Sequence, residues 1–176
     1  MISALEQVLM NFYKEEMISF LETHPEFFTE AIELAIKDEQ PLSWRSAWLL
    51  WSCMEINDKR IRKNVNKILT VLPSKQDGHQ RELIKILLQM RLNERQEGKL
   101  FNICLTLWES LNKKPSVRHT AFKFIIEMTK KYPELKSEVE YLTQDHFLET
   151  LSPGIKHSIA RMLNNNSCQW KKIVIL

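Results

Sequence analysis

Glycine is scarce in this chain: Gly78, Gly98 and Gly154 are the only three in 176 residues. A turn-rich all-β fold, or a loop that cradles phosphate with successive backbone N–H groups, needs more of it. Cysteine is equally sparse, and Cys53, Cys104 and Cys168 are odd in number, far apart and without a CxxC pair. Neither a disulfide framework nor a thiolate zinc site is therefore expected. Reduced thiols packed as small hydrophobes, in a cytoplasmic protein, are the expectation. The histidines, His24, His79, His119, His146 and His157, form no HxxxH or HExxH pattern, so no metal or other cofactor is predicted. No apolar run reaches the roughly 18 residues of a membrane-crossing helix. The N-terminal stretch, acidic within a few positions of its start, lacks the basic and apolar regions of a secretory signal. No membrane partner is expected.

What the chain does contain is helix. Its apolar fraction of 44% suits a globular core. All six prolines, Pro25, Pro41, Pro73, Pro115, Pro133 and Pro153, fall between apolar-periodic segments. A ring that cannot donate to a carbonyl four residues back is tolerated at a first helical turn and not inside one. The segments so bounded predict helices at 2–22, 26–37, 42–55, 58–72, 78–90, 94–112, 116–131, 134–143 and 153–164. In the fourth, Ile61, Val65, Ile68, Leu69 and Leu72 make one apolar stripe among lysines, arginines and asparagines, the mark of a helix packed on one side.

A longer period overlies this one. Arg45, Arg81, Arg118 and Lys156 follow one another at steps of 36, 37 and 38 residues, each shortly after Pro41, Gly78, Pro115 or Pro153. A fixed period in this range marks stacked helical repeats. Around the third position, Val117-Arg118-His119-Thr120-Ala121 resembles the V-R-x-x-A start of a HEAT-repeat helix, and residues 111–116 (LNKKPS) resemble the polar turn that feeds it. Residues 34–51 are similar, with Asp38 and Pro41 in the turn, although Ala47 stands two rather than three places after Arg45. The resemblance extends over about residues 34–164, with Lys156 in the last arginine place. It implies membership of a compact bacterial family of short HEAT-like proteins. The implied fold is all-α: an α-α superhelix (HEAT-like solenoid) of about nine antiparallel helices in two layers. The expected organisation is a single repeat domain at 1–164 with a docked C-terminal tail at 165–176. The resemblance further implies that each repeat arginine bonds a turn acid or carbonyl of the neighbouring repeat, with Asp38 available to Arg45 and Asp77 to Arg81.

Two features carry candidate function. Trp44, Trp48 and Trp51, spaced i, i+4 and i+7, share a helix face. Such a row either packs one repeat on the next or, lining a groove, grips a peptide or stacks bases; Trp44, at the helix start, is the one expected to stay partly exposed. Charge is also segregated. Residues 1–40 hold nine acids and two lysines, while 23 of the 25 basic residues follow. Lys59, Arg62, Lys63, Lys67, Arg91 and Arg95 dominate a basic centre at 58–99. A phosphate-tracking surface would require these side chains to gather on one face; the alternative is a set of solvated outer faces interleaved with Asp58, Asp77, Glu82, Glu94 and Glu97. Trp170, in the polar–apolar tail CQWKKIVIL, completes the candidate binding residues.

The leading expectation is a non-catalytic module that binds a protein or peptide on a concave surface, as a monomer or weak homo-oligomer. Nucleic-acid binding through 58–99 is the alternative. A DNA alkylation-repair-type glycosylase is a minor one, since it needs a carboxylate beside the tryptophans and only Glu55 lies within a turn of them. No Ser or Cys nucleophile is spaced with a His to suggest catalysis.

Overall fold

Prolines mark the helix starts in the structure as they do in the sequence. The computed structural model describes residues 2–166. Among these it contains no strand and twelve α-helices. They are α1 (Ala4–Asn11), α2 (Lys14–Thr23), α3 (Phe28–Ile36), α4 (Leu42–Cys53), α5 (Lys59–Arg62), α6 (Val65–Val71), α7 (Asp77–Leu88), α8 (Glu94–Glu109), α9 (Pro115–Lys131), α10 (Lys136–Leu142), α11 (Asp145–Leu148) and α12 (Pro153–Asn166). Pro115 and Pro153 are the first residues of α9 and α12, and Pro41 precedes α4. Pro25, Pro73 and Pro133 lie in short 3₁₀ turns at Pro25–Phe27, Leu72–Ser74 and Pro133–Leu135.

Nine expected segments become twelve helices for local reasons. The first segment divides at Phe12 and Tyr13, where no proline or glycine gives warning. Ser3 and Glu6 form a reciprocal capping box at the start of α1. The Glu16 carboxylate then accepts from the Tyr13 backbone N–H at 2.8 Å, which starts α2 anew. The segment at 58–72 tightens into one i→i−3 turn, Asn64 N–H to Ile61 O at 2.8 Å, which separates α5 from α6. Its apolar stripe is nonetheless buried as expected, with Ile61, Val65, Ile68, Leu69 and Leu72 each at most 3% exposed. α11, only four residues long, is too short for its period to be seen.

The described residues fold as two compact units that divide between Glu97 and Gly98, inside α8. In the first, α4 packs on α3, and α3 in turn packs on α5 and α6. The other neighbours of α4 are α1, α2 and α7. This gives two layers, with α1, α2, α4 and α7 in one and α3, α5 and α6 in the other. Small residues of α3 and α4, Ala31 and Ala35 on one and Ser43, Ser46 and Ala47 on the other, are all buried. Ser46 Oγ donates across the seam between the two helices to the Ala31 carbonyl at 2.8 Å, which satisfies a hydroxyl that would otherwise be costly to bury.

In the second unit, α9 packs against α10 and α12. Trp108 of α8 is fully buried, its ring 4.3 Å from that of Phe122. Its indole Nε1 donates to the Leu142 carbonyl at 2.9 Å, tying α8 to the end of α10. Arg118 is also fully buried. It donates from Nε to Trp108 O (2.9 Å), from Nη1 to Thr150 Oγ1 (2.7 Å) and from Nη2 to Phe147 O (2.7 Å). No turn acid precedes this arginine, and carbonyls take the acid's place. Burial lowers its tendency to hold the proton, and three short bonds to oxygen offset that cost.

The other repeat positions behave differently. Arg45 donates from Nη2 to the Phe12 carbonyl at 2.6 Å and to Met17 Sδ at 3.5 Å. Asp38, expected to serve it, lies instead 3.7 Å from the buried Lys75. Arg81 pairs with its neighbour Glu82 at 2.6 Å.

Candidate interaction surfaces

The tryptophan row exists, on the layer containing α2, α4 and α7. The row lies on a different face of α4 from the small seam residues, and it is most open at Trp44. Trp44 is 38% exposed, and Trp48 and Trp51 are half-buried. Cations border the row on both sides. Lys14 of α2 places Nζ 5.5 Å from the Trp48 ring centre, and Lys85 of α7 places Nζ 4.3 Å from that of Trp51. Both distances allow attraction between an ammonium and the electron-rich ring face.

Beside Lys85 lies an acid that the sequence offered only as part of a solvated face, and that the structure buries. Glu82 is fully buried, and its carboxylate accepts from Arg81 Nε at 2.7 Å and Lys85 Nζ at 3.0 Å. It thereby holds both Arg81 and Lys85, the second of which borders Trp51. Basic residues one place before and three places after an acid were the signal available, but its burial could not be read from spacing. Gln89 Nε2 donates to the Trp51 carbonyl at 3.2 Å, a further α4–α7 tie. Two buried donors of this helix, Arg45 Nε and Trp51 Nε1, have no hydrogen-bond acceptor among the described residues.

The basic centre gathers elsewhere. Asn57, in the turn before α5, has a left-handed backbone (φ 59°) that an asparagine tolerates. Its N–H donates to Gln89 O at 2.7 Å, which anchors the turn to the end of α7. Its Oδ1 then accepts from Arg62 Nη2 and from the Arg91 backbone N–H, the latter at 3.2 Å. A second bridge follows, from Gln96 Nε2 to Asn66 Oδ1 at 2.9 Å. Segments 57–67 and 91–96 are thus stitched side by side. Lys59, Arg62, Lys63, Lys67, Arg91 and Arg95 are all exposed on them. Arg60, by contrast, is bound to buried Asp58 at 2.6 Å. That bond holds the Asp58 carboxyl below its usual range. Trp44 does not join this cluster, since it stands on the other layer. Trp170 and the apolar tail at 173–176 lie outside the described residues.

Side chains of the types used in catalysis are engaged structurally. His79 is buried, its Nε2 donating to the Ala35 carbonyl at 2.8 Å and its Nδ1 accepting from Gln40 Nε2 at 3.1 Å. Burial pushes its pKa below the ordinary histidine value. His119 Nε2 lies 3.0 Å from Ser158 Oγ, a proximity the sequence could not show. Burial and nearby Lys123 lower its pKa too, and no carboxylate among the described residues orients its ring as a triad requires. Burial raises the Cys53 thiol to about 11 and pushes that of Cys104 up further, so both disfavour the nucleophilic thiolate. Glu55 is an exposed residue just past α4. Among the described residues no three His, Cys, Asp or Glu side chains converge as metal ligands would, and no helix is long and apolar enough to cross a membrane.

Comparison with curated proteins and with solved structures found no match. A family model described as a HEAT repeat domain matches residues 1–166. That span takes in all the repeat positions from Arg45 to Lys156 and the whole series of paired helices. The chain belongs to the HEAT repeat domain family.

Proposed function

We propose that the protein is a non-catalytic interaction module, one repeat array over 1–164, that binds an extended peptide segment of a partner protein across α2, α4 and α7. The observation that carries this reading is the partly exposed row Trp44–Trp48–Trp51, open at Trp44 and bordered by Lys14 and Lys85. Indole faces supply apolar contact area at low entropic cost, as binding hot spots do. The bordering cations favour a segment in which acidic side chains alternate with apolar ones. The non-catalytic part rests on how the polar residues are occupied: Glu82 is held in two ion pairs and His79 is bonded at both ring nitrogens.

The test is selection of displayed random 12-residue peptides on the full chain, followed by titration of the enriched sequences. Enriched peptides should combine Asp or Glu with apolar residues, and Trp44→Ala or Lys14→Glu should weaken them about tenfold or more. Failure to enrich any peptide, or equal affinity for the parent and the Trp44→Ala chain, sinks this reading.

A further inference from the structure

We propose that the cluster around Asn57 is a second binding surface, which takes the phosphate backbone of double-stranded nucleic acid without reading its bases. Three observations converge on it.

First, Lys59, Arg62, Lys63, Lys67, Arg91 and Arg95 are exposed on two segments some 30 residues apart in sequence, joined through Asn57 and through Asn66–Gln96. None of the six has a carboxylate partner among the described residues. Unneutralised cations gathered on one face are what releases counterions from a phosphate backbone.

Second, the acid that opens the 57–67 segment is withdrawn from the surface, which leaves Glu94 as the one exposed carboxylate on the two segments. Asp58 is 4% exposed and spent on Arg60. Arg62 is instead pinned by a neutral amide oxygen, so the guanidinium is positioned while keeping its full charge and its other N–H donors. This is pre-organisation for an anion, achieved without loss of positive potential.

Third, no exposed aromatic side chain stands on segments 57–67 or 91–96. A single strand is usually held by stacking its bases on such rings. A surface of arginine, lysine and asparagine matches the outside of a duplex, where phosphates are presented and bases are hidden.

The experiment measures binding of a fluorescent 20-base-pair DNA duplex to the full chain, freed of carried-over nucleic acid, from about 50 to 200 mM salt. Affinity should fall steeply and log-linearly with salt. Arg62→Glu and Arg91→Glu should each weaken binding about tenfold or more and flatten the salt slope by about one. Asn57→Gly keeps the left-handed turn and every charge but frees Arg62, and should weaken binding about threefold. Lys123→Glu, exposed on α9, makes the same charge change elsewhere and should leave affinity unchanged.

Several results would overturn the proposal: no duplex binding at the lowest salt, equal losses in Lys123→Glu and Arg62→Glu, an Asn57→Gly chain as tight as the parent, or poly-glutamate bound as tightly as the duplex. A single strand of the same sequence binding about tenfold more tightly would overturn it as well. Because Arg62 and Arg91 lie outside the tryptophan row, peptide binding should survive these substitutions, and the two readings fail separately.

Discussion

Arg118 stands over Trp108, its guanidinium carbon 4.8 Å from the indole centre while its Nε donates to that residue's own carbonyl. One buried arginine therefore holds the end of α8 from above the ring and along the backbone. With Nη1 and Nη2 it also holds the α11 region through Thr150 and Phe147. Arg118→Met would keep the apolar stem and strand these acceptors. A loss of about 2–5 kcal/mol is expected in urea unfolding. Arg118→Lys should recover only part of it, since an ammonium lacks the planar fork that reaches the three oxygens.

The tryptophans should divide sharply in stability. Trp108, fully buried against Phe122, should cost about 3–5 kcal/mol when cut to alanine. Trp44→Ala, removing a ring already 38% exposed, should cost less than about 1 kcal/mol. A melting temperature lowered as far by Trp44→Ala as by Trp108→Ala would show Trp44 to be core.

Glu82 carries a different expectation. Its carboxylate lies buried between Arg81 and Lys85, so Glu82→Gln leaves two neighbouring cations without their counter-charge. Denaturant titration should register a loss of about 1–3 kcal/mol. Lys85→Met should cost less, because Arg81 still neutralises the carboxylate.

Stability should also depend on pH through His79. Burial lowers its folded pKa beneath the ordinary 6.5, against a backbone hydrogen bond to Ala35 that works the other way. Lys75 disfavours the proton further, while Asp38 and Glu82 favour it. The unfolded chain then binds more protons than the folded one as pH drops through this window. The stabilisation is fully present above about pH 6.5 and is lost as pH falls toward the folded pKa, by at most about 1.4 kcal/mol per pH unit. His119, shifted the same way, adds to it. Unfolding free energies measured between about pH 7.5 and 5 should therefore decline, and His79→Gln should flatten the decline. An unchanged slope in that variant would show that His79 does not contribute. Asp58 acts in a lower window: its stabilisation is present above about pH 3.8 and is lost as pH falls further.

Much of the fold was legible because it is written locally. The stripe from Ile61 to Leu72 needs only a 3.6-residue period, and Pro115 or Pro153 needs only a missing N–H to mark a helix start. The break at Phe12–Tyr13 was not legible in this way, since a glutamate three residues on makes it. The candidate surfaces were half legible. Trp44, Trp48 and Trp51 share a face by spacing alone, and the six cations were conspicuous by their density. What the spacing could not reveal is that Trp44 and the cations stand on different layers.

Helical class and the repeat spacing of Arg45, Arg81 and Arg118 were thus legible in sequence alone, because periodicity and backbone chemistry act over a few residues. Tertiary structure decided which charges are spent and which remain available. Glu82 is hidden under Arg81 and Lys85, Asp58 is consumed by Arg60, and Arg62 meets Arg91 only through Asn57. Burial and pairing depend on what distant segments bring alongside, and no local pattern encodes that.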